Sequence, residues 1–183
     1  MTLSPRVRRA SLTLHVFASV GWAGAVFMYL ALGIAAVTSD DEGLVSAAYV
    51  TMDWAGCRVL VPFAVASLLT GITHALITPW GLMQHYWVIV KLALTVLATV
   101  VLVAYTRTLS AFAEVAARNP LRASDLDYLQ NPSVILHSTA ALVLLFVVTV
   151  LAVYKPVGMT RRGQRLRHQS RRASPTPPAQ TSE

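Results

Sequence analysis

The chain contains a single cysteine, Cys57, so no internal disulfide can form. Charge is scarce: Asp, Glu, Lys and Arg make up 13% of the 183 residues, against roughly 25% in a soluble domain. Acidic residues are the rarer sign, 8 against 15 basic ones. The sequence has no phosphate loop, nucleophile elbow or metalloprotease motif, and no repeat of solenoid period. These absences speak against a disulfide scaffold, a soluble globular domain and the enzyme classes that such motifs mark.

What fills the chain instead is apolar sequence. Four runs with almost no charge lie near 12–37, 56–77, 86–108 and 132–154. Each has the ~20 residues a helix needs to cross a bilayer. The expected fold is therefore all-α: a polytopic membrane protein built as a four-transmembrane-helix bundle over residues 1–157. A basic, disordered tail is expected over 158–183, where Ser174-Pro175-Thr176-Pro177-Pro178 lacks apolar residues. The first run follows Arg6, Arg8 and Arg9 and exceeds the ~7–15 residues of a signal-peptide core, so it is expected to stay as a helix.

The net charge of +7 raises the question of nucleic acid. The distribution of charge argues for a membrane surface instead. Arg6, Arg8 and Arg9 precede the first span, and Lys155, Arg161, Arg162, Arg165, Arg167, Arg171 and Arg172 follow the fourth. Asp40, Asp41, Glu42, Asp53, Glu114, Asp125 and Asp127 fall in the two connecting segments between. An even number of spans puts both termini on one side, and the positive-inside rule makes that side cytoplasmic. No aromatic residues interleave with the arginines of the tail. Contact with anionic lipid heads is the expected role there, not nucleic-acid binding.

Local signals mark the ends of the helices. Ser4-Pro5 reads as an N-cap followed by proline at the first helical position. Pro62 is a candidate kink. Thr78-Pro79 and Trp80-Gly81 break the chain between the second and third spans, and Trp80, Tyr86 and Trp87 read as an interfacial belt. Residues 43–54 and 108–118 have helical composition and extend the second and third spans outward. Ser124-Asp125-Leu126-Asp127 reads as a capped short helix, and Asn131-Pro132-Ser133 opens the fourth span.

Ionisable groups within spans are costly and usually face the bundle or snorkel. His15, Ser19 and Trp22 share one face of the first helix, and Ser67, Thr70, Gly71 and His74 form a stripe on the second. His15 and His74 stand at similar depth, about one turn from the cytoplasmic side. His85 starts the third helix, and Lys91 lies roughly 8 Å further in. Paired histidines on neighbouring helices suit axial ligation of a b-type haem, with Ala18, Gly21 and Gly71 leaving room for the ring. His15 and His74 are then the metal ligands. His85 is an alternative ligand, and Lys91 is a partner for a propionate or a lipid phosphate. The competing reading is that the histidines are bundle-facing polar residues bonded to backbone or hydroxyl groups, and that Lys91 snorkels. Met52, Cys57 and His137 are donor types that suit copper on the outer side, but they show no ligand spacing.

His15 with Gly21-Trp22, Leu68-Leu69-Thr70-Gly71, Thr78-Pro79-Trp80-Gly81-Leu82, His85-Tyr86-Trp87-Val88 and Lys91, then Tyr154-Lys155-Pro156 with Gly158-Met159-Thr160, resembles an uncharacterised family of four-helix bacterial integral membrane proteins. That family is distantly similar to the CopD copper-resistance proteins and the cytochrome b561-like dihaem bundles. The resemblance implies a bundle in the bacterial inner membrane and favours haem. Only His137 lies near the outer leaflet, so one inner haem is expected and not two. The leading expectation is a haem-carrying redox subunit. The alternative is a non-enzymatic small transporter, copper-handling module or assembly partner, as a homo-oligomer or with another membrane protein. A polar path through Lys91, Thr95 and Thr99 would favour transport.

Overall fold

The computed structural model describes residues 4–77, 84–118, 120–154, 158, 160 and 164–165. Its helices are α1 (Pro5–Thr38), α2 (Glu42–Ala55), α3 (Val61–Ile77), α4 (Tyr86–Ala116), α5 (Ala123–Leu129) and α6 (Ser133–Tyr154). A π-helical turn, Gly56–Leu60, joins α2 to α3. Four stretches are long and apolar enough to cross a membrane: Pro5–Thr38, Glu42–Ile77, Tyr86–Ala116 and Ala123–Tyr154. They form one bundle in which α1 packs on α3, α6 and α2, and α4 packs on α2, α3 and α6. Pro5, Ile77, Tyr86 and Tyr154 lie at one end, called basal here; Thr38, Glu42 and α5 lie at the other, distal end.

The caps follow from side-chain chemistry. Ser4 Oγ accepts the Val7 N–H at 3.5 Å, with Pro5 at the start of α1. Asp41 Oδ1 accepts the N–H groups of Gly43 and Leu44 at 2.9 and 3.4 Å, closing the start of α2. The short helix α5 starts two residues earlier than its sequence suggests. Its N-cap is Arg122, and Asp125 Oδ2 accepts the Arg122 N–H at 3.1 Å. Ser124 therefore sits inside the first turn and does not cap it. Asp125 also pairs with Arg118 at 2.9 Å, the one ion pair among the described residues.

The long second helix runs from Glu42 to Ile77, the outward extension that its composition suggests. It is not uniform. The Val61 N–H reaches back to Gly56 O, one residue further than in an α-helix, and Pro62 follows at once. Proline has no N–H to give and its ring crowds the preceding turn; a π-turn there absorbs the mismatch.

The interior changes character along its length. The distal half is a packed apolar core that includes Trp22, Val26, Tyr29, Val45, Tyr49, Met52, Leu109, Phe112, Leu129 and Val134. Tyr29 and Tyr49 are buried there and donate their hydroxyls to Met52 O and Leu129 O. The basal half is polar where α1, α3 and α4 meet.

Past the boundary expected at 157/158, two described residues bond to the start of α4. The Tyr86 N–H donates to Gly158 O at 3.4 Å, and the Thr160 N–H donates to Gln84 O at 2.9 Å. Thr160 is buried. The first residues assigned to a tail are thus pinned to the start of α4. The break at 78–83, including Trp80, and the tail residues 166–183 lie outside the described residues.

Candidate functional site

Ser11, His15 and Ser19 recur at four-residue steps on α1, so they share a face. That face meets the Ser67, Thr70, Gly71 and His74 stripe of α3. Ser19 Oγ bonds to Ser67 Oγ at 2.8 Å. Ser11 Oγ bonds to His74 Nδ1 at 3.3 Å. Between these two contacts, His15 Nδ1 lies 3.2 Å from Thr70 Oγ1, and His15 Nε2 lies 3.4 Å from Lys91 Nζ on α4. The structure therefore joins His15 to Lys91 directly and gives His74 a separate partner. His85 precedes α4, with its ring 6.3 Å from that of Trp87; the contacts that define the cluster do not include it.

The hydrogen bonds assign the His15 tautomer. Thr70 donates its hydroxyl proton to Ala66 O at 2.6 Å, so Thr70 Oγ1 has only lone pairs left for His15. His15 Nδ1 then carries the proton and donates it. His15 Nε2 is left as an acceptor, and a lysine ammonium can only donate. The sequence of donors is Lys91 Nζ to His15 Nε2, His15 Nδ1 to Thr70 Oγ1, and Thr70 Oγ1 to Ala66 O. Gly71 makes this possible. A Cβ at position 71 would stand 3.0 Å from His15 Cε1 and 3.4 Å from Nδ1.

Lys91 is half-buried in a span and has no carboxylate partner among the described residues. An ammonium has three donors, and His15 takes one. The other two have no partner in the hydrogen bonds among described residues. The cluster thus ends in a cation with donors to spare, five residues inside the start of α4.

Thr95 and Thr99 continue the stripe of α4 but do not continue the site. Each is buried, and each donates its hydroxyl to its own helix, Thr95 to Lys91 O and Thr99 to Thr95 O, both at 2.8 Å. Each hydroxyl proton goes to the backbone four residues back, which leaves only the oxygen lone pairs facing the interior. Beyond them the apolar core closes the interior.

Haem between His15 and His74 meets two obstacles in this packing. The room expected beside Gly71 and Gly21 is filled: the His15 ring lies over Gly71, and a Cβ at Gly21 would run into the Phe63 ring. His15 Nε2, the nitrogen that would meet an iron from α1, already accepts from Lys91. An outer copper site is not assembled either. Met52 is sealed in the core, whereas Cys57 is exposed. His137 Nδ1 is bonded to Ser133 O at 2.8 Å, with its ring stacked on Tyr105. Among the described residues no group of three or more His, Cys, Asp or Glu is placed to hold a metal.

Ser11 is the residue that the sequence reading passes over. Its signal is the four-residue step that places it on the His15 face. Comparison with protein-family models, curated proteins and solved structures gives no match.

Proposed function

We propose that the protein is a multi-pass membrane protein that holds a small oxyanion, a phosphate or carboxylate group, at Lys91 in its basal half. The observation that supports this most is the Lys91 ammonium, inside the bundle, bonded to a neutral imidazole and faced by no carboxylate among the described residues. A buried cation is strongly disfavoured unless something partners it. His15 gives it one acceptor and a fixed direction, and an oxyanion supplies the charge that the protein leaves out. The reading is therefore of a binding or assembly module and not of a channel or enzyme.

Thermal stability tests this reading. Purified full-length protein in phosphatidylcholine nanodiscs is titrated with inorganic phosphate and, separately, with acetate. A ligand at a hundredfold excess over Kd adds about 2.7 kcal/mol, a rise in Tm of roughly 5 °C or more for a chain of this size. One of the two oxyanions is expected to produce that rise, and Lys91→Met is expected to abolish it. If neither anion moves Tm, or Lys91→Met responds like the native protein, the reading fails. The matched depth of His15 and His74, with the resemblance to haem-carrying bundles, supports haem as the second reading. A Soret band in protein from haem-supplied cells, lost in His15→Ala and His74→Ala, would put it first.

The basal end is proposed to be cytoplasmic, because all ten basic residues of the two terminal segments belong to it. In a Cys57→Ser background, a cysteine replacing Arg167 should resist a membrane-impermeant thiol reagent in intact cells, and one replacing Ser124 should react. The opposite pattern would invert the topology.

A further inference from the structure

Arg58 is the second basic residue whose position the basal site does not explain. From Val59 to Ile77 the helix carries no Lys, Arg, Asp or Glu, close to the ~20 residues that cross a bilayer. Arg58 therefore stands at the distal boundary of the hydrocarbon. Its side chain is exposed, and its guanidinium lies 5.3 Å from the centre of the Trp54 ring, a contact that fixes its direction. Trp54 is itself 56% exposed, as suits an indole at headgroup depth. Asp53, the nearest acid in sequence, is used elsewhere: it accepts the Ser110 hydroxyl at 2.6 Å. Among the described residues no carboxylate pairs with Arg58.

A groove begins at this arginine. It has a volume of about 240 Å³ and is lined by Arg58, Val59, Pro62, Phe63 and Ala66. Two local features open it. Phe63 leans onto α1, where Gly21 has no side chain to stop it and Phe17 lies 6.2 Å away between ring centres. Ala66 leaves a shallow floor one turn further on. The positions 58, 59, 62, 63 and 66 follow one helix face over about 12 Å, at 1.5 Å rise per residue. The groove thus has a cation at its interfacial mouth and apolar walls below.

We infer that this groove holds one anionic phospholipid of the distal leaflet, with its phosphate on Arg58 and the upper part of an acyl chain along Pro62, Phe63 and Ala66. Charge complementarity selects the headgroup, because the guanidinium has no protein anion to satisfy it. The direction of the groove selects a lipid over a free anion, because its walls run into the hydrocarbon and are apolar. The inference does not depend on the Lys91 reading, since the two sites lie toward opposite ends of the bundle.

Native mass spectrometry of the full chain tests it. The protein is equilibrated with mixed micelles holding equal amounts of phosphatidylglycerol and phosphatidylcholine, and retained lipid is counted. The native protein should keep one phosphatidylglycerol preferentially. Removing one arginine near a membrane surface weakens anionic-lipid attraction about fivefold, so Arg58→Gln should lower that preference by about this factor. Ala66→Phe fills the groove and leaves the charge, and should also reduce retention. Arg107, exposed at the same end of α4, lies outside the groove, so Arg107→Gln should change nothing. Circular dichroism melts confirm that each variant is folded. Unchanged retention in both Arg58→Gln and Ala66→Phe would overturn the inference. An equal loss in Arg107→Gln would overturn it too, because diffuse attraction to the leaflet would then be sufficient.

Discussion

Trp22→Ala is expected to destabilise the bundle by about 3–5 kcal/mol, the range for truncating a large aromatic in a packed core. Trp22 is 2% exposed and sits where the apolar distal core meets the polar basal half. In lipid the loss comes mainly from dispersion contacts that no neighbour replaces. Unfolding in mixed micelles by titration with dodecyl sulfate measures it. Phe27→Ala is the comparison. Phe27 is 62% exposed on the same helix, so its removal should cost no more than about 0.5 kcal/mol. Equal effects at the two positions would mean that the interior face of α1 is wrongly assigned.

Gly71→Leu should be the second severe change, and it should act on the site as well as on stability. Helix propensity alone favours replacing a mid-helix glycine, by up to about 1 kcal/mol. Sterics oppose it here, because the first atom of the new side chain already meets the His15 ring at 3.0 Å. Overpacking of this kind costs about 1–3 kcal/mol, so the net change should be destabilising. His15 must leave Thr70 or Lys91, and the oxyanion response should disappear with it. At Gly24 a Cβ would meet nothing within 4 Å, and Gly24→Ala should be neutral or slightly stabilising. A stable Gly71→Leu protein with a native oxyanion response would show that His15 does not rest on α3.

Much of the architecture is legible in the sequence because the bilayer imposes it. Four runs of spanning length with almost no charge, Ser4-Pro5 at the start and Asn131-Pro132-Ser133 before the last helix are strong local signals. The polar stripes on α1 and α3 are equally legible, since helical spacing puts His15, Ser19 and Trp22 on one face, although Ser11 one step earlier escapes notice. Side-chain pairing is not legible at that level. Depth alone matches His15 with His74, but it does not reveal that Lys91 reaches across from α4 to the same imidazole. Nor does it show that the His15 ring lies over Gly71. Thr95 and Thr99 look like a polar path when only residue type and spacing are known. The structure adds that each hydroxyl donates back onto its own helix. The return of Gly158 and Thr160 to Gln84 and Tyr86 rests on backbone pairing between segments far apart in sequence, which composition does not encode.

In the proposed site Lys91 holds the anion and His15 positions Lys91. A double-mutant cycle on oxyanion affinity separates the two roles, using Lys91→Met, His15→Phe and the double variant in nanodiscs, with the anion that stabilises the native protein. Lys91→Met should remove measurable binding, His15→Phe should weaken it by less, and the double variant should be no worse than Lys91→Met alone. Native affinity in Lys91→Met, or losses at the two positions that simply add, would contradict it.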